Sequence, residues 1–239
     1  GGGTHTLGAA SAVGGAGTVR ISGGTTSSAG GWSVTGTTQV AGGTANFNGA
    51  AMATSALSLT SGTVGGSAGG LLTVSGAASW SGGNFSGSGG TTRVLNTGTL
   101  AVSGSGTARA LTNYTLELAG TGTWGVTTAA MQTQSTGILR VLAGGQLDVT
   151  GDFGLSFTGG TASRVVVLGT LRRTTSANPV TFAVQVDDSG TVDVQTGTLQ
   201  LNNGGTSSGS FTVATGATLE FGGGTHTLGA ASAVGGAGT

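Results

Sequence analysis

Short apolar-polar alternations recur along the chain, each closed by a glycine. FTVATGATLEFGGGTHTLG (211–229) and VDVQTGTLQLNNGGTSSG (192–209) follow one plan. A short alternating strand is followed by a glycine, a second alternating strand and a Gly-Gly turn. RVLNTGTLAVSGSG (93–106), RVLAGGQLDVTGD (140–152) and LLTVSGAASWSGG (71–83) repeat it. A period of two places alternate side chains on opposite faces of a strand. Leu199 and Leu201, Leu219 and Phe221, and Val94 are therefore expected to line an interior, with Thr, Ser, Gln and Arg outside. No stretch sustains the 3.6-residue stripe of an amphipathic helix. Residues 120–136 come closest and carry too much Gly and Thr.

Taking one corner glycine per unit gives Gly17, Gly36, Gly62, Gly76, Gly98, Gly122, Gly144, Gly169, Gly190 and Gly216, with Gly197 a rival near Gly190. The mean spacing is about 22 residues, the size of a solenoid coil. One interval, Gly62 to Gly76, is only 14 residues, so one of these corners is misplaced. A coil this small cannot bury its own apolar face or pair its own backbone, and both needs are met by stacking on its neighbours. The expected fold is all-β, a parallel β-solenoid of about ten coils per long period.

That long period is explicit. GGGTHTLGAASAVGGAGT occupies residues 1–18 and returns unchanged at 222–239. Residues 1–221 are expected to be one full tandem repeat and 222–239 the start of the next, cut from a longer array. The ends are expected to be uncapped, the neighbouring partner being another copy of the same sequence end to end. His5 and His226 are then one repeat position seen twice.

Composition narrows the class. There are 53 Gly, one Pro and no Cys, with 6% charged and 36% apolar residues and a net charge of zero. Disordered chains combine low hydrophobicity with high net charge, which this chain does not. Collagen needs a strict Gly-X-Y period and abundant Pro. All seven cations are Arg and they are scattered among seven acids, so no basic stripe awaits a phosphate backbone. No apolar run is long enough for a membrane-spanning helix, and no leader segment is visible.

Candidate chemistry is sparse. Gly120-x-Gly122-x-x-Gly125 mimics a dinucleotide fingerprint and Gly65-x-Ser67-x-Gly69 a nucleophile elbow, but neither opens a helix. Asp187, Asp188 and Asp193, one coil after Arg172 and Arg173, are the one acidic cluster. Paired acids with an Arg could cleave a polysaccharide by general acid-base work; the simpler reading is a solvated turn with Arg–Asp contacts between coils. Thr4-x-Thr6 and Thr121-x-Thr123 resemble ice-binding arrays without their regularity. Trp32, Trp80, Trp124 and Tyr114 fill wide corners or stack on sugars, Asn46, Asn48, Asn84, Asn96, Asn113, Asn202 and Asn203 are ladder candidates, and Asn84 and Asn113 head glycosylation sequons. Five scattered Asp cannot ligate calcium in every coil. No catalytic, cofactor-binding or metal-ligating residue is expected.

The stretches AASWSGGNFSGSGGTTRVLNTGTLAVSGSGTARALTNYTLELAGTGTW and GTVDVQTGTLQLNNGGTSSGSFTVATGATLEF resemble the tandem repeats of very large bacterial surface proteins, the β-helical shafts of autotransporters and filamentous-haemagglutinin-type adhesins. The resemblance implies a right-handed parallel β-helix outside the cell, acting as a filament, stalk or adhesin shaft. A glycan- or surface-binding module is the alternative, and a polysaccharide-active β-helix a distant third.

Overall fold

The computed structural model describes residues 2–104, 109–128 and 130–239; Gly106 of the 93–106 unit and Ala129 of the 120–136 stretch lie outside the described residues. The chain is a β-solenoid of about 11 turns, 62% strand and without a helix among the described residues. All pairings between strands are parallel.

Each turn has three strands, and each strand stacks on its counterpart one turn later. The first face runs Thr4–Leu7, Thr25–Ser28, Thr44–Phe47 and onward through Met131–Gln134 and Pro179–Ala183 to Thr218–Phe221. The second begins at Ala12–Gly15 on Gly31–Val34 and ends at His226–Leu228. The third begins at Thr18–Ile21 on Thr37–Val40 and ends at Ala233–Gly236. Some strands continue round the corners: Gly31–Phe47 and Met52–Gly65 each cross all three faces, with register shifts where they bend. Thr25 stacks on Thr44 and Leu155 on Phe182, so turns run from 19 to 27 residues.

The two-residue period holds on every face. On the third face Leu57 and Leu59, Leu100 and Leu147, Val102 and Val149, and Val192 and Val194 point inward and are buried. Val94, Leu199 and Leu201 are buried as expected, and Leu219 and Phe221, in the last turn, pack half-buried against the core. Trp32, Trp80, Trp124 and Tyr114 are all inside. Their polar atoms find partners: Trp32 Nε1 donates to Thr38 Oγ1, Trp80 Nε1 to Gly83 O and Trp124 Nε1 to Phe153 O, each within 3.0 Å. Trp32 meets Phe47 and Trp80 meets Phe85 edge-on, at 5.1 and 4.8 Å between centroids, a favoured aromatic geometry.

The corners explain the glycines. One residue directly precedes every third-face strand: Gly17, Gly36, Ser55, Gly76, Gly98, Gly120, Gly145, Gly169, Gly190, Gly209 and Ser232. A methyl group on Gly36, Gly98, Gly120, Gly169, Gly190 or Gly209 would sit on the carbonyl oxygen of the corner residue one turn earlier. Backbone approach, rather than a positive φ, demands glycine at this corner. Four of the expected corners are therefore corrected. Gly62 belongs to a different column, Gly24, Gly43, Gly62 and Gly83, where φ lies between 67° and 78° and the chain turns onto the first face. Ser55 holds the place assigned to Gly62, which removes the 14-residue interval. Gly122 lies mid-strand and points inward between Leu100 and Leu147, Gly120 being the corner. Gly144 is one residue early, and Gly216 precedes a first-face strand.

The asparagines do not form a continuous ladder. Asn46 donates to Ser27, while Asn48, Asn84 and Asn113 accept from Ser67 N, Ala110 N and Thr136 Oγ1 respectively, each bridging one turn to a neighbour.

Gly120→Ala should lower the stability of the full chain by about 1–3 kcal/mol, the usual cost of overpacking. Gly17→Ala, with nothing within 4 Å of the added methyl, should change it by less than about 0.5 kcal/mol. Urea unfolding of the two variants compares them directly, and equal losses would sink the close-approach account.

Candidate functional site

The carboxylates and guanidinium groups concentrate on the turns between residues 140 and 195. On an alternating strand, adjacent residues point to opposite sides, and that fixes where each charge goes. In Thr170–Arg173, Leu171 and Arg173 point inward while Thr170 and Arg172 point out. In Gln185–Asp188, Val186 and Asp188 point inward and Asp187 points out.

The outward groups pair between turns. Asp148, Arg172 and Asp193 follow one another in register on the third face. Arg172 Nε and Nη2 donate to Asp148 Oδ1 and Oδ2 at 2.7 and 2.8 Å, a bidentate clasp. This bond, with the nearby charge of Asp193, holds the Arg172 guanidinium above its usual pKa range. On the second face Arg164 Nη1 donates to Asp187 Oδ2 at 3.1 Å, and Asp187 Oδ1 also accepts from the amide and hydroxyl of Thr206. Two turns earlier Glu117, its side chain 5% exposed, is bracketed by Arg93 at 2.6 Å and Arg140 at 2.7 Å.

The inward groups are a correction to the expectation that Arg stays outside. Arg173 has no exposed surface. Its Nη1 donates to Val149 O and Gly151 O, and its Nη2 to Asp152 Oδ1 at 2.9 Å and Asn178 O at 2.8 Å. The planar fork thus ties together two turns where the wall bends away from the third-face strand. Arg109, 2% exposed, does the same for Ser81 O, Ser103 O and Gly104 O, and desolvation lowers its pKa. Hydrogen bonds from Ser176, Asn178 and Arg173 pull Asp152 from the ordinary 3.8 to about 2. The phase of the alternation, Leu171-x-Arg173 over Leu147-x-Val149, was the available signal for the buried arginine.

Asp188 is the one inward carboxylate of the cluster, 3% exposed. Its Oδ1 accepts from Gly190 N at 3.0 Å and its Oδ2 from Ser207 Oγ at 3.2 Å. Burial outweighs those bonds and pushes its pKa up. A cavity of about 240 Å³ opens beside it, lined by Val166, Leu168, Asp187, Ser189, Thr206 and Ser208 among others.

Asp187, Asp188 and Asp193 are thus not brought to one surface. Asp187 lies on the second face, Asp188 faces the interior and Asp193 lies on the third face, where it accepts from Gln195 at 2.7 Å. Arg172 and Arg173 likewise point to opposite sides of their strand. Asp187 is engaged by Arg164 rather than by either. The Arg164–Asp187 and Arg172–Asp148 pairs tie successive turns together, whereas Asp188, buried in a strand without an arginine, departs from the solvated turn of the simpler sequence reading. Thr4, Thr25, Thr44 and Thr63 do form an outward column on the first face, continued by Asn84 and Ala110. Thr121-x-Thr123 stands instead over Thr99-x-Ala101 and under Gln146-x-Asp148, so no regular array forms there. Among the described residues no cluster of His, Cys, Asp or Glu could hold a metal ion, and no helix is long and apolar enough to cross a membrane.

Comparison with protein-family models, with curated proteins and with solved structures returns no match.

Two titrations follow with opposite sign. A raised pKa means that ionised Asp188 costs stability at neutral pH and that the cost disappears on acidification. Asp188→Asn should therefore raise the melting temperature at pH 7, and the gain should shrink as pH falls through the raised pKa and vanish below the ordinary 3.8. A variant less stable than the native chain at pH 7 but equal to it in acid would reverse the argument. Asp152, with its pKa lowered to about 2, contributes stability above the ordinary carboxylate range that is lost as pH falls from about 4 through 2. Asp152→Asn should flatten the pH dependence of the melting temperature in that window, and Arg173→Met should cost about 3 kcal/mol at neutral pH by orphaning Gly151 O and Asn178 O.

Proposed function

We propose that this chain is a structural segment of an extended extracellular filament, stalk or adhesin shaft built from tandem solenoid repeats. The observation that carries the reading is the unbroken parallel ladder: every turn is hydrogen bonded to the next on three faces, from Thr4 to Gly236. A ladder of about 11 turns rises about 53 Å at the spacing of neighbouring strands. Its side chains are spent on holding turns together, through Arg–Asp and Arg–Glu pairs outside and Arg–carbonyl clasps inside. The recurrence of residues 1–18 at 222–239 supports extension by more of the same sequence. The resemblance to bacterial adhesin shafts supports a location at or beyond the cell surface.

The glycan-binding alternative loses its aromatic platforms, since Trp32, Trp80, Trp124 and Tyr114 are core residues. The acid-base reading would need carboxylates facing one substrate, and those proposed for it face three directions.

Pulling the full chain by its two ends tests the mechanical role. Turns should peel away in succession, each force peak releasing about 20 residues, or about 70 Å of contour. Extension without resolved peaks would remove the load-bearing reading.

A further inference from the structure

On the second face the outward column through Thr115, Ile138 and Arg164 runs beside the column through Glu117, Arg140 and Val166. Arg140 and Arg164 are therefore diagonal neighbours on adjacent turns, a separation that long side chains span. Both line a cleft of about 300 Å³, together with Thr136, Ile138, Thr161 and Val166. That volume lies at the lower end of the range for small-molecule sites. The chain reaches this wall through Ser135 and Thr136, at φ of 44° and 62°. With Asn113 one turn earlier, at 47°, they are the non-glycine residues in the left-handed region among the described residues. For β-branched Thr136 that conformation is costly, and such strain is held where the surroundings over-determine it. Thr136 N donates to Thr161 O at 3.0 Å, and Thr136 Oγ1 to Asn113 Oδ1 at 2.7 Å. The strained corner is thus fixed to the turns on both sides, with Thr136 on the wall of the cleft.

Charge is unbalanced around it. The outward residues of the second face carry Arg93, Arg140 and Arg164 against Glu117 and Asp187. Arg93 and Arg140 share the one carboxylate of Glu117, whose side chain is 5% exposed while theirs are 39% and 33% exposed. Arg164, 45% exposed, meets Asp187 through a single bond of 3.1 Å. The face thus presents an excess of accessible positive charge in a chain of zero net charge. Arg140 and Arg164 each commit Nη1 to their carboxylate. Among the described residues nothing accepts from the Nε–Nη2 edge of either. That edge is the pair of parallel donors that matches two oxygens of one anion. Ile138 and Val166, both half-buried, supply the apolar part of the same wall.

We infer that this cleft binds an organic oxyanion, a carboxylate, sulfate or phosphate group gripped by Arg140 and Arg164, with a short carbon skeleton resting on Ile138 and Val166. The hydroxyls of Thr136 and Thr161 line the same wall and add donors for a third oxygen or for a polar substituent. An anion here supplies the charge that Glu117 cannot, since one carboxylate faces two guanidiniums. A nucleic-acid backbone fits less well, because the arginines do not continue as a basic stripe: Thr73 precedes Arg93, and Val166 and Asp187 follow Arg140 in that column. The site lies on the side of the solenoid and is independent of its proposed role as a shaft.

Titrating the full chain with hexanoate, hexyl sulfate and hexyl phosphate at fixed ionic strength, followed by NMR at the Ile138 and Val166 methyl groups, tests the site. Saturable shifts are expected with at least one of the three, and the tightest identifies the oxyanion. Hexanol, with the same skeleton and no charge, should leave both methyl groups unmoved. Arg164→Gln should weaken binding roughly ten-fold by removing one charged fork. Arg164 is exposed, so a native-like spectrum of that variant separates a lost contact from a lost fold. Arg20→Gln removes an exposed arginine of the third face, away from the cleft, and should leave the affinity as it was. The anion site is overturned by the absence of saturable shifts with all three anions, or by equal shifts with hexanol. It is equally overturned by an affinity that Arg164→Gln leaves unchanged, or that Arg20→Gln lowers as much.

Discussion

The backbone's need for partners governs this protein. A three-strand turn of about 20 residues has no partner within itself for most of its N–H and C=O groups, so each turn exists only against another. Stacking at the spacing of a β-ladder brings every corner within van der Waals reach of the corner before it. That requirement accounts for the column from Gly17 to Gly209 more fully than any need for flexible turns. Glycine's left-handed conformation is used elsewhere, in the column through Gly24, Gly43, Gly62 and Gly83 and at turns such as Gly144, Gly197 and Gly216. The abundance of glycine thus records two demands, corners packed backbone to backbone and turns of positive φ.

The same stacking decides where charge can go. Outward side chains on successive turns stand side by side, so like charges repel and unlike charges pair. Arg93, Glu117 and Arg140 alternate along one column, and Asp148, Arg172 and Asp193 along another. Inward, the cost of desolvation is offset by the fork of Arg173, which reaches Gly151 O and Asn178 O at the bend and shares Val149 O with the amide of Thr174. Asp188 is a less complete compensation, and its raised pKa is the mark of that.

Much of this was legible before any coordinates. Alternation gave the interior residues, and the unit length gave stacked coils of about the right number. Corner assignment went astray where glycines compete: Gly120 and Gly122 differ by two residues, and only the approach of Gly98 O to one of them tells corner from core. The Ser55 corner was hidden because it carries no glycine to mark it. The buried arginines were missed for another reason. Residue type argues for the surface, but position in the two-residue period argues for the interior, and in Leu171-Arg172-Arg173 the period wins.

Turn length varies from 19 to 27 residues while the ladder on each face keeps its register. The extra residues lie in the bends, so they widen the cross-section without lengthening the axis. A rod's resistance to flexure climbs steeply with its girth. The slender turns between Thr25 and Thr63 and between Val180 and Leu219 are then the compliant stretches, and the broad turns from Phe85 to Phe182 the stiff one. Girth along the solenoid is thus graded by bend length, with the hydrogen-bonded faces left unaltered.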